Sequence, residues 1–237
     1  MLTIRFDKLS LPDGARVLDL GCGEGRHVHG LHMLTTAHAI GLDPDEGSLD
    51  IARERLHDLP EGSGKAEFMK GSAYDLPFPD GDFDAVICSE VLEHLSDYAR
   101  AIQEIARVTK PGGVFAASVP RAWPERICWK LAPGPGGYAD QPGGHVRIFD
   151  ETELRESIRE AGFVYSSRHF AHALHSPYWW LKTAFWGRRD DHPLVRAYQR
   201  FLEWDLLERP RVTRLAERAL NPVMGKSVVL YFRKPRS

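Results

Sequence analysis

The chain has 237 residues, 43% of them hydrophobic, which is enough for one well-packed α/β domain with a sizeable insertion but short for two full domains. A formal net charge of -2 argues against affinity that comes mainly from neutralising phosphates, and three scattered cysteines lack metal-type spacing. The start MLTIRFDKLS lacks a signal-peptide pattern and no stretch is long and apolar enough to span a bilayer, so a reduced, cytoplasmic protein is expected.

In chain order, short apolar runs predict strands at Arg16 to Leu20, Ala39 to Leu42, Ala66 to Lys70, Ala85 to Ser89 and Gly113 to Val119. Helical patterns fall between them, at Glu46 to Leu59 and at Tyr98 to Thr109 with Ala101, Ile102, Ile105, Ala106 and Val108 at helical spacing. Alternation of this kind predicts a doubly wound α/β fold, a parallel sheet with helices on both faces. Residues 121–149 are rich in proline and glycine and read as an irregular loop insertion. A helix is expected from Asp150, with Glu153 at the capping-box position, to Ala161 before Gly162, then strands near Phe163 to Phe170 and Ser227 to Arg233. Residues 172–226 read as a helical cap inserted before the last strand, within one domain spanning 1–237. There, Leu194, Ala197, Tyr198, Phe201 and Leu202 form an apolar stripe expected to pack.

The segment VLDLGCGEGRH places Gly21, Gly23 and Gly25 directly after the first strand. A glycine loop there offers backbone N–H groups and a helix N-terminus at the sheet edge where open α/β sheets bind ligands. Its spacing is tighter than a dinucleotide fingerprint, and Asp43 ends the next strand about 20 residues on, where a carboxylate accepts from ribose hydroxyls.

With IGLDPDEGSLDIAR, GSAYDLPFPDGDFDAVICSEVLEHL and EIARVTKPGGVFAASVP following in order, the chain resembles the class I S-adenosylmethionine-dependent methyltransferases, in particular the type 11 group. The resemblance runs from about Val17 to Phe170. It implies a Rossmann-like, mostly parallel seven-stranded sheet with an antiparallel last strand, and S-adenosylmethionine as cofactor. It further implies that Gly21, Cys22 and Gly23 lie against the methionyl part, that Asp19 orients the loop or accepts from the amino group, and that Asp43 with the adjoining Pro44 holds the ribose side. Ser72 and Ala73 would flank the adenine, with Ser72 where the family commonly has Asp, and Ser89 would close the site at the end of the fourth strand.

Methyl transfer needs an in-line acceptor and, for a hydroxyl, loss of a proton. Glu90, Glu93 and His94 stand at i, i+3 and i+4, expected on one face of a helical turn. In this fold family such a turn serves some members as half of a divalent-metal site, so Glu90, Glu93, His94 and a later His145 are a candidate magnesium set. A fold without metal would instead leave Glu90 capping the cofactor pocket, Glu93 facing solvent and His94 on a backbone carbonyl. His145, in GGHVRIFDETEL, is also a candidate general base beside His94 and Glu90, or else a loop histidine bonded to backbone. Arg147 would bind an anionic group or pair with Asp150.

The segment HSPYWWLKTAFWGRR supplies Trp179, Trp180, Phe185 and Trp186 with Lys182, Arg188 and Arg189. These form an aromatic wall for a flat or lipidic acceptor, an edge for peripheral membrane contact, or simple packing of the cap. The leading expectation is O-methylation of a small hydrophobic or glycosylated metabolite. The alternatives are a metal-dependent RNA 2'-O-methyltransferase, against which the charge balance and the absence of an RNA-binding module weigh, and a non-catalytic cofactor-binding protein.

Overall fold

A computed structural model describes residues 2–141 and 144–236, so residues 142 and 143 of the expected loop insertion lie outside the described residues. The chain divides into two compact units. The first comprises Met1–Ser118, Thr152–Arg168 and Val229–Ser237, and the second Val119–Glu151 and His169–Val228.

The strands are β1 (Arg16–Leu20), β2 (His38–Asp43), β3 (Lys65–Lys70), β4 (Phe83–Ser89), β5 (Thr109–Pro120), β6 (Val164–Ala171) and β7 (Ser227–Arg233). They form one seven-stranded sheet in the order β3-β2-β1-β4-β5-β7-β6. Pairing is parallel from β3 through β2, β1 and β4 to β5. Against this, β7 runs antiparallel to β5: Gly112 N donates to Lys234 O and Lys234 N to Gly113 O at one end, while Arg121 N donates to Lys226 O at the other. The sheet expected from the sequence is therefore present, antiparallel last strand included. Strands in its middle are buried on both faces and so read as continuous apolar runs, whereas edge strand β3 alternates exposed and half-buried residues along much of its length.

In the first unit the helices are α1 (Arg26–Leu34), α2 (Glu46–His57), α3 (Tyr98–Val108) and α5 (Glu151–Glu160), the last entering from the second unit at Glu151. Helix α3 buries the five apolar residues singled out by spacing, and its N-cap Asp97 accepts from Arg100 N at 3.1 Å. Phe115 of β5, Phe163 and Phe232 of β7 are all fully buried; ring centroids lie 5.4 Å and 6.2 Å from Phe115 to the other two.

The second unit is helical: α4 (Ala122–Leu131), α6 (His175–Ala184), α7 (Pro193–Glu208) and α8 (Arg211–Met224). Two expectations are corrected here. The start of the supposed irregular loop is helix α4, because Pro124 falls in its first turn, where a missing N–H costs no intrahelical bond. In α7 the expected stripe is only half-packed: Tyr198, Phe201 and Leu202 are half-buried, but Leu194 and Ala197 are exposed and the fully buried positions are Val195 and Asp205.

Truncating the aromatic stack should be costly. Phe115→Ala is expected to lower the unfolding free energy by about 3–5 kcal/mol, read from the urea midpoint; an unchanged midpoint would show that the stack is not part of the core.

Candidate cofactor site and a buried acid–histidine pair

The glycine loop leaves β1 by continuing its pairing with β2 beyond the strands. Gly21 N and Cys22 N both donate to Leu42 O, at 2.7 and 3.2 Å, and Gly23 N donates to Asp43 Oδ2 at 2.8 Å. Gly21 takes φ +69°, and a Cβ there would overlap the Val91 side chain. Position 21 therefore requires glycine on two counts. Asp43 Oδ1 accepts from Asp45 N at 2.9 Å, so this carboxylate ties the end of β2 to both the loop and the start of α2.

Beneath the loop Asp19 is buried, with its Oδ1 3.8 Å from His27 Nδ1. Its Oδ2 is buried and meets no hydrogen-bond donor. Loss of water pushes the Asp19 carboxyl up to about 7, the nearby Asp43 charge adding to the rise and Arg26 opposing it. Burial drives His27 down to about 3, so it is neutral; Ile4 N donates to its Nε2 at 3.4 Å, which leaves the proton on Nδ1 facing Asp19. Burial, then the Asp19 and Asp43 charges, raise the Cys22 thiol far above its ordinary range, so it is a small apolar wall and not a nucleophile.

A cavity over the loop is lined by Gly21, Cys22, Gly23, Glu24, Arg26, His27, His29, Arg55 and Ser89. Four of the cofactor residues named from the sequence thus come together, with Asp19 and Asp43 joined to the loop as described. Pro44 is exposed beside Asp43, and Ser72 is exposed with its Oγ accepting from Tyr74 N at 3.2 Å in a turn that includes Ala73. Arg26, His29 and Arg55 were not singled out by sequence reasoning; only the position of Arg26 directly after the glycines could have signalled it.

The SEVLEHL segment is not one helical turn. Glu90 is left-handed at φ +58°, and only Leu92–His94 form a short 3-10 turn, with His94 N donating to Val91 O. Glu90 is held there by Ser118: its N donates to Ser118 O and its Oε1 accepts from Ser118 Oγ, both at 2.9 Å, while Ser89 Oγ lies 2.9 Å from Ser118 Oγ. Glu93 is fully buried, contrary to a solvent-facing role.

In the second unit His145 is bound to a residue that sequence reasoning missed. Its Nδ1 lies 2.6 Å from Oε1 of Glu125, on α4. Glu125 is buried and also accepts from Trp129 Nε1 and Tyr138 OH, with Lys226 Nζ 3.7 Å away. Desolvation raises the Glu125 carboxyl, but the His145 hydrogen bond and the Lys226 charge outweigh it and hold the group below its ordinary value. A carboxylate only accepts, so Nδ1 of His145 carries the proton and Nε2 is the basic nitrogen. His145 lines a cavity of about 270 Å³ with Tyr138, Trp179, Trp186, Lys182, Arg189 and Gln141. Trp179, Trp180 and Trp186 pack against Cys128, Ala132 and Tyr138, so the aromatic segment is chiefly the interior of this unit.

The sheet order and a glycine loop at the carboxyl edge of β1 define a Rossmann-like methyltransferase fold. Residues 18–117 match the model of a methyltransferase domain. A Mycolicibacterium smegmatis protein described as a probable S-adenosylmethionine-dependent methyltransferase is 33% identical over 152 residues, 63% of this chain and 52% of that protein. A sterol 24-C-methyltransferase of Gibberella zeae is 38% identical over 109 residues, 46% of this chain and 28% of the other. Among solved structures, a SAM-dependent methyltransferase from Methanosarcina mazei has a TM-score of 0.62 at 17% identity over 100% of both chains, a likeness of fold. The chain spans about half, or less, of the length of these curated relatives. Over residues 18–117 the chain is thus similar to S-adenosylmethionine-dependent methyltransferase domains, in sequence as well as in fold.

The buried Asp19 makes stability depend on pH. Its carboxyl is raised from 3.8 to about 7, so its favourable contribution is full below about pH 4 and is lost as pH rises through about 7. In urea titrations of the cofactor-free protein, Asp19→Asn is expected to lose less stability than the wild type over that window; parallel pH profiles would show that Asp19 is ionised throughout.

Proposed function

We propose that the chain transfers the methyl group of S-adenosylmethionine to a small-molecule acceptor, by O-methylation of a hydrophobic or glycosylated metabolite. The observation that carries the cofactor half is the buried Asp19 Oδ2, an unpartnered acceptor under a loop of glycines, which fits a cationic amino group. Asp19 would hold the amino group, with the backbone of Gly21, Cys22 and Gly23 lying against the methionyl part, and Asp43 with Pro44 the ribose side; Ser72, Ala73 and Ser89 would border the remainder. When bound, the cofactor supplies an electrophilic methyl on a sulfonium.

The chain's own part in the chemistry is proton removal. Glu125 keeps the Nδ1 proton of His145 in place and stabilises the imidazolium, so Nε2 takes the proton of an acceptor hydroxyl as the new O–C bond forms. Tyr138, Trp179 and Trp186 offer the acceptor an apolar wall, which supports a hydrophobic metabolite. Proton removal by His145 requires no ion at Glu90, Glu93, His94 and His145, and of that set Glu90 has its Oε1 engaged by Ser118. Of the candidate bases His145, His94 and Glu90, this reading takes His145, whose Nδ1 is held by Glu125.

Two measurements test the proposal. In calorimetry, Asp43→Ala is expected to weaken S-adenosylmethionine binding by about 2 kcal/mol or more, through lost charge-assisted bonds to ligand and loop together; unchanged affinity would remove Asp43 from the site. In methyl-transfer assays against pools of hydroxylated metabolites, His145→Gln should lower kcat by about 10²–10⁴ at unaltered cofactor affinity. A fully active His145→Gln enzyme would contradict the assignment of the base.

A further inference from the structure

We infer that the α7–α8 junction is a docking surface for an anionic lipid bilayer. The observation is an apolar stripe, left uncovered among the described residues, lying beside a row of arginines. Leu207 near the end of α7 is 79% exposed, and on α8 Val212, Leu215 and Val223 are 67%, 63% and 65% exposed. At about 100° per residue, Val212, Leu215, Ala219 and Val223 share one face of α8, and Arg211, Arg214 and Arg218 share the adjoining one. All seven are exposed, while the single fully buried residue of this 14-residue helix is Thr213. Trp204 adds a partly exposed indole, and Arg209, in a left-handed conformation at φ +47°, leads through Pro210 into α8.

Charge decides among the occupants such a face could take. Arg196 is paired with Asp191, but among the described residues Arg209, Arg211, Arg214 and Arg218 make no ion pair. Of the neighbouring acids, Asp205 is buried and Glu217 is half-buried with its Oε1 3.9 Å from His172, while Glu203 and Glu208 are exposed on α7 and make no ion pair with the row among the described residues, leaving four arginines against two exposed carboxylates. The row is thus a local concentration of positive charge on a chain whose net charge is -2. A second copy of the same face would bring like charges together. Nucleic acid would satisfy the arginines and leave the aliphatic stripe hydrated. The interface of an anionic bilayer satisfies both at once, phosphates for the guanidiniums and acyl chains for Leu207, Val212, Leu215 and Val223. Trp204 suits the headgroup level. Docking of this kind is peripheral, since no helix among the described residues is long and apolar enough to cross a membrane. It replaces the aromatic segment 175–189 as the membrane-facing element, because those tryptophans pack within the unit.

The test is flotation of the full chain with phosphatidylcholine vesicles, with and without phosphatidylglycerol, in low and high salt. The chain is expected to float with the anionic vesicles and to release in high salt. Both the triple variant Arg211→Gln, Arg214→Gln, Arg218→Gln and the triple variant Leu207→Ser, Leu215→Ser, Val223→Ser should lose about tenfold or more in vesicle affinity. Every substituted side chain is exposed, so circular dichroism and cofactor affinity should match the wild type. Absence of flotation would overturn the inference, as would equal binding to uncharged vesicles or vesicle binding that neither variant weakens. A dimer by sedimentation, or binding to an RNA oligonucleotide, abolished by these variants while vesicles stay unbound, would assign the face to that partner instead.

Discussion

The cofactor-side architecture depends on one constraint, the way β1 hands its pairing with β2 on to the loop that follows. Leu42 O receives both Gly21 N and Cys22 N, and the Asp43 carboxylate receives Gly23 N. Three successive amides are thus fixed by a neighbouring strand. Glycine at position 21 makes the turn feasible, because its positive φ and the nearness of Val91 exclude any side chain. The result is a shaped backbone surface over a buried carboxylate, built before any ligand arrives. Such preorganisation removes part of the ordering cost of binding.

The second unit repeats the logic with different parts. Glu125 gathers a tryptophan, a tyrosine, a histidine and a lysine around one buried carboxylate. A buried charge is tolerable only when it is paired and hydrogen-bonded, and here that requirement also orients His145. The contact that satisfies the buried charge is also the one that the proposed general base would need. The tryptophans around it are therefore both core and cavity wall. That double role explains why the aromatic segment could be read either way from the sequence.

Legibility follows the range of the forces involved. The strands were readable because a strand buried on both faces must be continuously apolar, and β1 spans Arg16–Leu20 as the run suggested. The glycine loop was readable because its geometry demands a residue type. Helix α4 was hidden by Pro124, a proline that is harmless in a first turn. Glu90 was misread as helical because spacing alone suggested a turn, whereas Ser118, on a neighbouring strand, holds it at positive φ. Glu125 left no local signal at all: its partners stand 4 to 101 residues away, and only the folded chain assembles them. Of the candidate site, the backbone cradle was therefore legible and the acid that serves His145 was not.

The central claim is that the loop over Asp19 is a cofactor cradle, and calorimetric titration of the wild type and Asp19→Asn with S-adenosylmethionine tests it most directly. The account predicts micromolar binding by the wild type and a loss of about tenfold or more in the variant, the worth of one charge-assisted hydrogen bond. No binding by the wild type, or equal binding by the two proteins, would contradict it.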